Sequence, residues 1–102
     1  MEIEQESLER IRENEDYLRA CTEGTAELDA ALDKMEALKE PMTKLFRYYG
    51  SADWYEDREK PLPEDLSAGV LSEDLVYDEI TAARDAALRM LEIATDILKN
   101  RI

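Results

Sequence analysis

The chain has no histidine and a single cysteine, Cys21, among 102 residues. Without histidine, the usual zinc sites and imidazole acid/base chemistry are missing, and one cysteine forbids an internal disulfide. Most enzyme templates fall on these two absences, so no catalytic, cofactor-binding or metal-binding set is expected. Glycine and proline number three each, too few for a loop-rich or low-complexity chain. No run of about 18 apolar residues is present, so no membrane span is expected. The amino-terminal Met1-Glu2-Ile3-Glu4-Gln5-Glu6 lacks the basic and apolar regions of a signal peptide. A cytoplasmic location is the expectation.

What the chain has in excess is acid. Charged residues make up 38% and the net charge is −13, distributed unevenly. Residues 1–40 carry net −8, residues 41–60 net zero, residues 61–81 net −6 and residues 82–102 net +1. Such a surface repels nucleic acid and anionic membrane, and any electrostatic partner is expected to be basic. Solubility alone also accounts for charge runs of this kind.

Hydrophobic periodicity then sets the fold class. Ile11, Leu18, Cys21, Leu28, Leu32, Met35, Met42, Phe46 and Tyr49 fall on one alternating three-four register, whose polar members are Asn14, Thr25 and Lys39. The acids Glu13, Glu15, Asp16, Glu23, Glu27, Asp29, Asp33 and Glu36 lie off it. The pattern is an amphipathic helix with a coiled-coil-like seam. The register passes Gly24 without a phase shift, so the helix is expected to continue there despite a cost of about 1 kcal/mol. Pro41 cannot donate to the carbonyl of Ala37 and restricts Glu40, so a kink or short break is expected near residue 40.

Gly50 suits the left-handed position that ends a helix, and Ser51 suits the cap of a short one holding Trp54 and Tyr55 before Pro61. Pro63, with Glu64 and Asp65 behind it, reads as the start of a second short helix that Gly69 closes. Ser72 reads as the cap of the last helix, with Glu73 and Asp74 in its first turn and Leu71 stapled to Val76. The apolar face of this helix includes Ile80, Leu88, Leu91, Ile97 and Leu98. Its later turns carry Arg84, Arg89, Lys99 and Arg101, which complement the acidic first helix. The expected architecture is all-α over a single domain, residues 1–102. A long N-terminal amphipathic helix, two short connector helices and a long C-terminal helix pack antiparallel in a bundle-like fold.

One stretch carries a resemblance. Tyr48-Tyr49-Gly50-Ser51, Trp54, Asp57, Leu62-Pro63-x-Asp65-Leu66, Gly69-Val70-Leu71-Ser72-Glu73-Asp74 and Tyr77-Asp78 resemble the bacterial family called domain of unknown function 4298. The flanking acidic helices extend the likeness over nearly the whole chain. The resemblance implies a bacterial helical domain and brings no functional residue with it. Arg58-Glu59-Lys60-Pro61 departs from the more acidic linker of the family.

Candidate sites follow from residue chemistry. Cys21 on the seam is expected to be a packing residue, since no neighbouring cation cluster lowers its pKa. Glu6, Glu9, Glu13 and Asp16 superficially match the carboxylates of all-helical, magnesium-dependent pyrophosphatases. Those enzymes bring carboxylates together from different helices, whereas these four share a few turns of one. Pairing of Arg10 with Glu6 and of Arg19 with Glu15 is expected to make them a solvated face. A di-iron bundle needs Glu-x-x-His motifs, which a chain without histidine lacks.

Tyr48, Tyr49, Trp54 and Tyr55 are harder to place, because four aromatic residues in eight positions exceed what one short helix turns inward. They form either the packing of the connector or, with Glu64, Asp65, Glu73, Asp74 and Asp78, a partner surface. The function expected is a non-enzymatic helical protein–protein interaction module, an adaptor or small regulator. Its partner is a second copy of the chain or another protein with a basic surface. The alternative is an acidic inhibitor that mimics nucleic acid in the groove of a DNA- or RNA-binding protein.

Overall fold

A computed structural model describes residues 2–100. Among the described residues there are three α-helices, one 3-10 turn and no strand. Helix α1 spans Gln5–Tyr48, α2 spans Ala52–Arg58, the 3-10 turn spans Gly69–Leu71 and α3 spans Glu73–Lys99. Of the described residues 82% are helical, in keeping with the all-α class read from periodicity. It divides into two compact units, Met1–Pro41 and Met42–Ile102.

The first unit is built from α1 alone. The helix passes Gly24 without interruption, as the unbroken register requires. It also passes Pro41, so the expected break is not there. Ala37 and Pro41 are both exposed, and solvent is therefore able to satisfy the carbonyl that proline cannot reach. Within this unit the seam has no second helix to bury against. Ile11, Leu18, Leu28 and Leu32 are 43–59% exposed and Cys21 is exposed as well, which corrects the expectation that this cysteine is packed. The polar face is laced locally: Arg19 pairs with Asp16 at 3.2 Å rather than with Glu15, and Arg10 donates to Ser7 Oγ rather than to Glu6.

The second unit holds the buried apolar residues among those described, Trp54 at 2% and Val76 at 4% exposure. Its chain path is set by caps. Gly50 has φ 77°, a conformation that costs an L side chain about 1–2 kcal/mol. Ser51 then accepts from the Trp54 backbone N–H at 3.2 Å and starts α2. Ser72 accepts from Leu75 N–H at 3.4 Å and starts α3, with Glu73 and Asp74 at the positive helix end.

Between them the second connector differs from expectation. Pro63 and Leu66 close one turn, Leu66 N–H to Pro63 C=O at 3.2 Å, and no helix grows from it. A single turn fixes several dihedrals for one hydrogen bond, so nucleation fails unless packing helps. Helical backbone instead appears at Gly69–Leu71, where Gly69 opens the turn rather than closing one. That turn packs against both α2 and α3.

Gly50→Ala is expected to destabilise the second unit by about 1–2 kcal/mol, because no nearby atom crowds an added methyl and the cost is purely conformational. Urea denaturation followed through Trp54 fluorescence measures it.

Candidate functional site

The side chains singled out as a candidate surface converge, but mostly on each other. The short α2 turns Trp54 inward, and its indole N–H donates to the Val70 carbonyl at 2.8 Å. This bond gives a buried donor its partner and anchors the 3-10 turn to α2. Tyr49 and Tyr55 meet the indole edge-on, each with ring centroids 5.0 Å away. The Arg58 guanidinium lies 4.5 Å from the ring centroid, a cation–π contact on the remaining side. Trp54 is therefore in the core of the unit at 2% exposure, beneath the surface that the sequence reading offers as one of its two alternatives.

The two tyrosines at the end of α1 act as ties. Tyr49 Oη donates to the Glu73 carbonyl at 3.2 Å, joining the end of α1 to the start of α3. Tyr48 Oη donates to Asp57 Oδ2 at 2.7 Å, and Lys60 Nζ donates to Asp57 Oδ1 at 3.1 Å. Asp57 thus accepts on both oxygens across the Gly50 turn. The hydrogen bonds from Tyr48 and then Lys60 hold its carboxyl below the ordinary 3.8. The same bond to Asp57 raises the Tyr48 phenol above 10.0, and Asp57 in turn raises Lys60. Burial raises Tyr49, with the charge of Glu73 adding to it.

Beside this network lies a cleft of about 190 Å³ whose lining includes Tyr48, Asp57, Lys60, Leu62, Leu66 and Val70. The remaining candidate residues face water. Tyr55 is 59% exposed, and Glu64, Asp65, Glu73, Asp74 and Asp78 are exposed. The structure therefore joins Tyr48, Tyr49 and Trp54 in one packed knot and leaves Tyr55 and five acids on its outside. Asp57, Arg58 and Lys60 were not among the expected site residues. The i, i+3 spacing of Asp57 and Lys60 was the available signal for half of the network.

The acids Glu6, Glu9, Glu13 and Asp16 are exposed, and the last three are engaged along their own helix. Gln5 donates to Glu9, Tyr17 Oη to Glu13 and Arg19 to Asp16. Among the described residues, no helix is long and apolar enough to cross a membrane. The profile of a protein family described as "Domain of unknown function (DUF4298)" matches residues 11–93. No curated protein matches the chain in sequence.

Two predictions follow from the knot. Trp54→Ala is expected to cost about 3–5 kcal/mol and to lower the Tm, whereas Trp54→Phe keeps most of the burial and loses the bond to Val70. Calorimetric melts of the two variants should rank in that order. The pH dependence has two limbs. Because Asp57 is lowered, its stabilisation is present above 3.8 and is lost as pH falls through its folded value. Because Tyr48 is raised, its stabilisation is present below 10.0 and is lost as pH rises through its folded value. Tyr48→Phe should flatten the alkaline limb and weaken the acid one in Tm-against-pH profiles.

Proposed function

This chain belongs to the DUF4298 family of domains of unknown function, and from that premise and its geometry we propose that it is a non-enzymatic helical interaction module. In this reading it acts in the cytoplasm as an adaptor or small regulator, and the seams of its long helices close against a second copy of the chain. The observation that carries the reading is the exposed apolar seam. In α1, Ile11, Leu18, Leu28 and Leu32 are 43–59% exposed, and in α3, Leu88, Leu91, Ile97 and Leu98 are 44–72% exposed. Contiguous apolar stripes of this length on soluble chains are covered by partners.

Two-fold pairing is the simplest cover, because one surface patch then serves both copies. Bundle-like antiparallel packing of the long helices belongs to the same proposal, and the acids stay outside it. On the second unit, Tyr55 with Glu64, Asp65, Glu73, Asp74 and Asp78 offers a separate patch suited to a basic protein. The half-buried Tyr48 and Tyr49 support it from beneath.

Light scattering coupled to gel filtration tests the reading. The expected result is a mass near twice 11.8 kDa at micromolar concentration, shifting toward the monomer in Leu28→Glu because a charge then sits in the seam. A mass near 11.8 kDa across the dilution range rejects self-association and favours seams that close within one chain.

A further inference from the structure

We propose that α1 pairs with α1 of a second copy in antiparallel orientation, in a register that brings Gly24 of each chain against Ala31 of the other. The proposal rests on the self-association argued above and adds its direction and register. It begins with Gly24. This residue lies inside α1, without the positive φ seen at Gly50, and a Cβ placed there meets nothing within 4 Å. Neither backbone conformation nor intrachain packing needs a glycine that weakens the helix by about 1 kcal/mol. Close approach of another backbone is the remaining reason for a residue without a side chain.

Charge selects the direction. Residues 5–24 of α1 carry six acids and three bases, net −3, while residues 29–48 carry four of each, net zero. A parallel pair sets −3 on −3, and an antiparallel pair sets −3 on a neutral half that contains lysines.

Register follows from matching the seam to its own reverse. With the two-fold axis between positions 26 and 27, Leu18 meets Met35 of the second copy, Cys21 meets Leu32, and Thr25 meets Leu28, against which its methyl group packs. Gly24 flanks this seam on the side where Ala31 of the second copy lies, a pair of small residues at the centre. The same register sets Asn14 level with Lys39 of the second copy, polar against polar. Sliding one copy by seven residues sets Asn14 against Leu32 instead and strands an amide among apolar groups. All of these positions lie within the first unit, and all but the half-buried Met35 are exposed.

Nitroxide pairs measured by pulsed spin resonance test direction and register together. In a Cys21→Ser background, Asp16→Cys, Glu23→Cys, Ala30→Cys and Ala37→Cys each place one label on the outer face of α1, at positions exposed in the chain. In the proposed register the labels at 23 and 30 are offset along the axis by about 10 Å and those at 16 and 37 by about 32 Å, from a rise of about 1.5 Å per residue. The expected result is therefore two near-equal shorter distances and two near-equal longer ones. Equal distances at all four positions, in a chain that light scattering shows to be a dimer, overturn the antiparallel pairing and leave self-association standing. A monomer by light scattering overturns both.

Gly24→Leu supplies the second readout. Leucine strengthens the helix but fills the space that Ala31 of the second copy occupies, so dimer dissociation is expected to become roughly tenfold easier or more. Higher helicity with unchanged dimer affinity would overturn the role given to Gly24.

Discussion

Burial of one indole organises everything that follows α1. Trp54 has the largest apolar surface available to the connector, and hiding it requires a partner for its N–H. The Val70 carbonyl is that partner, at 2.8 Å. Once this bond is made, the 3-10 turn is held against α2 and Ser72 is placed to cap α3. Tyr49, which touches the indole at its edge, hydrogen-bonds the Glu73 carbonyl at the same end of α3. A short helix of seven residues is marginal by itself. It persists because its one buried side chain is shared with the turn that precedes the next helix.

This arrangement explains why so many aromatic residues sit close together without forming an open binding face. Tyr48 and Tyr49 point their hydroxyls at acceptors across the Gly50 turn, and Tyr55 shields the indole while leaving most of its own surface in water. Arg58 covers the ring with a cation that stays solvated. The acids around the knot are left exposed by this packing, so the aromatic and acidic residues that look like one patch in the sequence have divided roles.

Legibility in the sequence tracks how local each interaction is. Ser51, Ser72 and Gly50 act within three residues of themselves, and their positions alone announce two helix starts and one stop. The unbroken α1 past Gly24 was legible from phase, which a hairpin there would have shifted. The second connector was misplaced because Pro63 and Gly69 are sound local signals that tertiary contacts overrode. Helical backbone formed where Trp54 and α3 hold it, at Gly69–Leu71. The bond from Trp54 to Val70 spans 16 residues, and no spacing rule reaches that far. Pro41 does not bring the break it allows, for a different reason: proline always removes a donor, but the helix ends only where the freed carbonyl is also cut off from water.

The seam of α1 shows the remaining kind of gap. A three-four repeat states which face of a helix is apolar and is silent on what covers it, because a neighbouring helix of the same chain and one of another chain satisfy the same pattern. Composition along the seam is more informative than its period. A seam meant only to be greasy has no use for Asn14, Thr25 and Lys39, nor for Gly24 at its flank, each of which weakens either burial or helix formation. Polar and small residues in such a seam restrict the pairings that leave no amide stranded and no backbone held apart. In the proposed pairing they exchange stability for a choice among registers, and the uneven charge of α1 adds a choice of direction. An interaction module of the kind proposed needs that selectivity more than it needs affinity, since a chain with two exposed apolar stripes and no preferred pairing would bind itself in many ways at once.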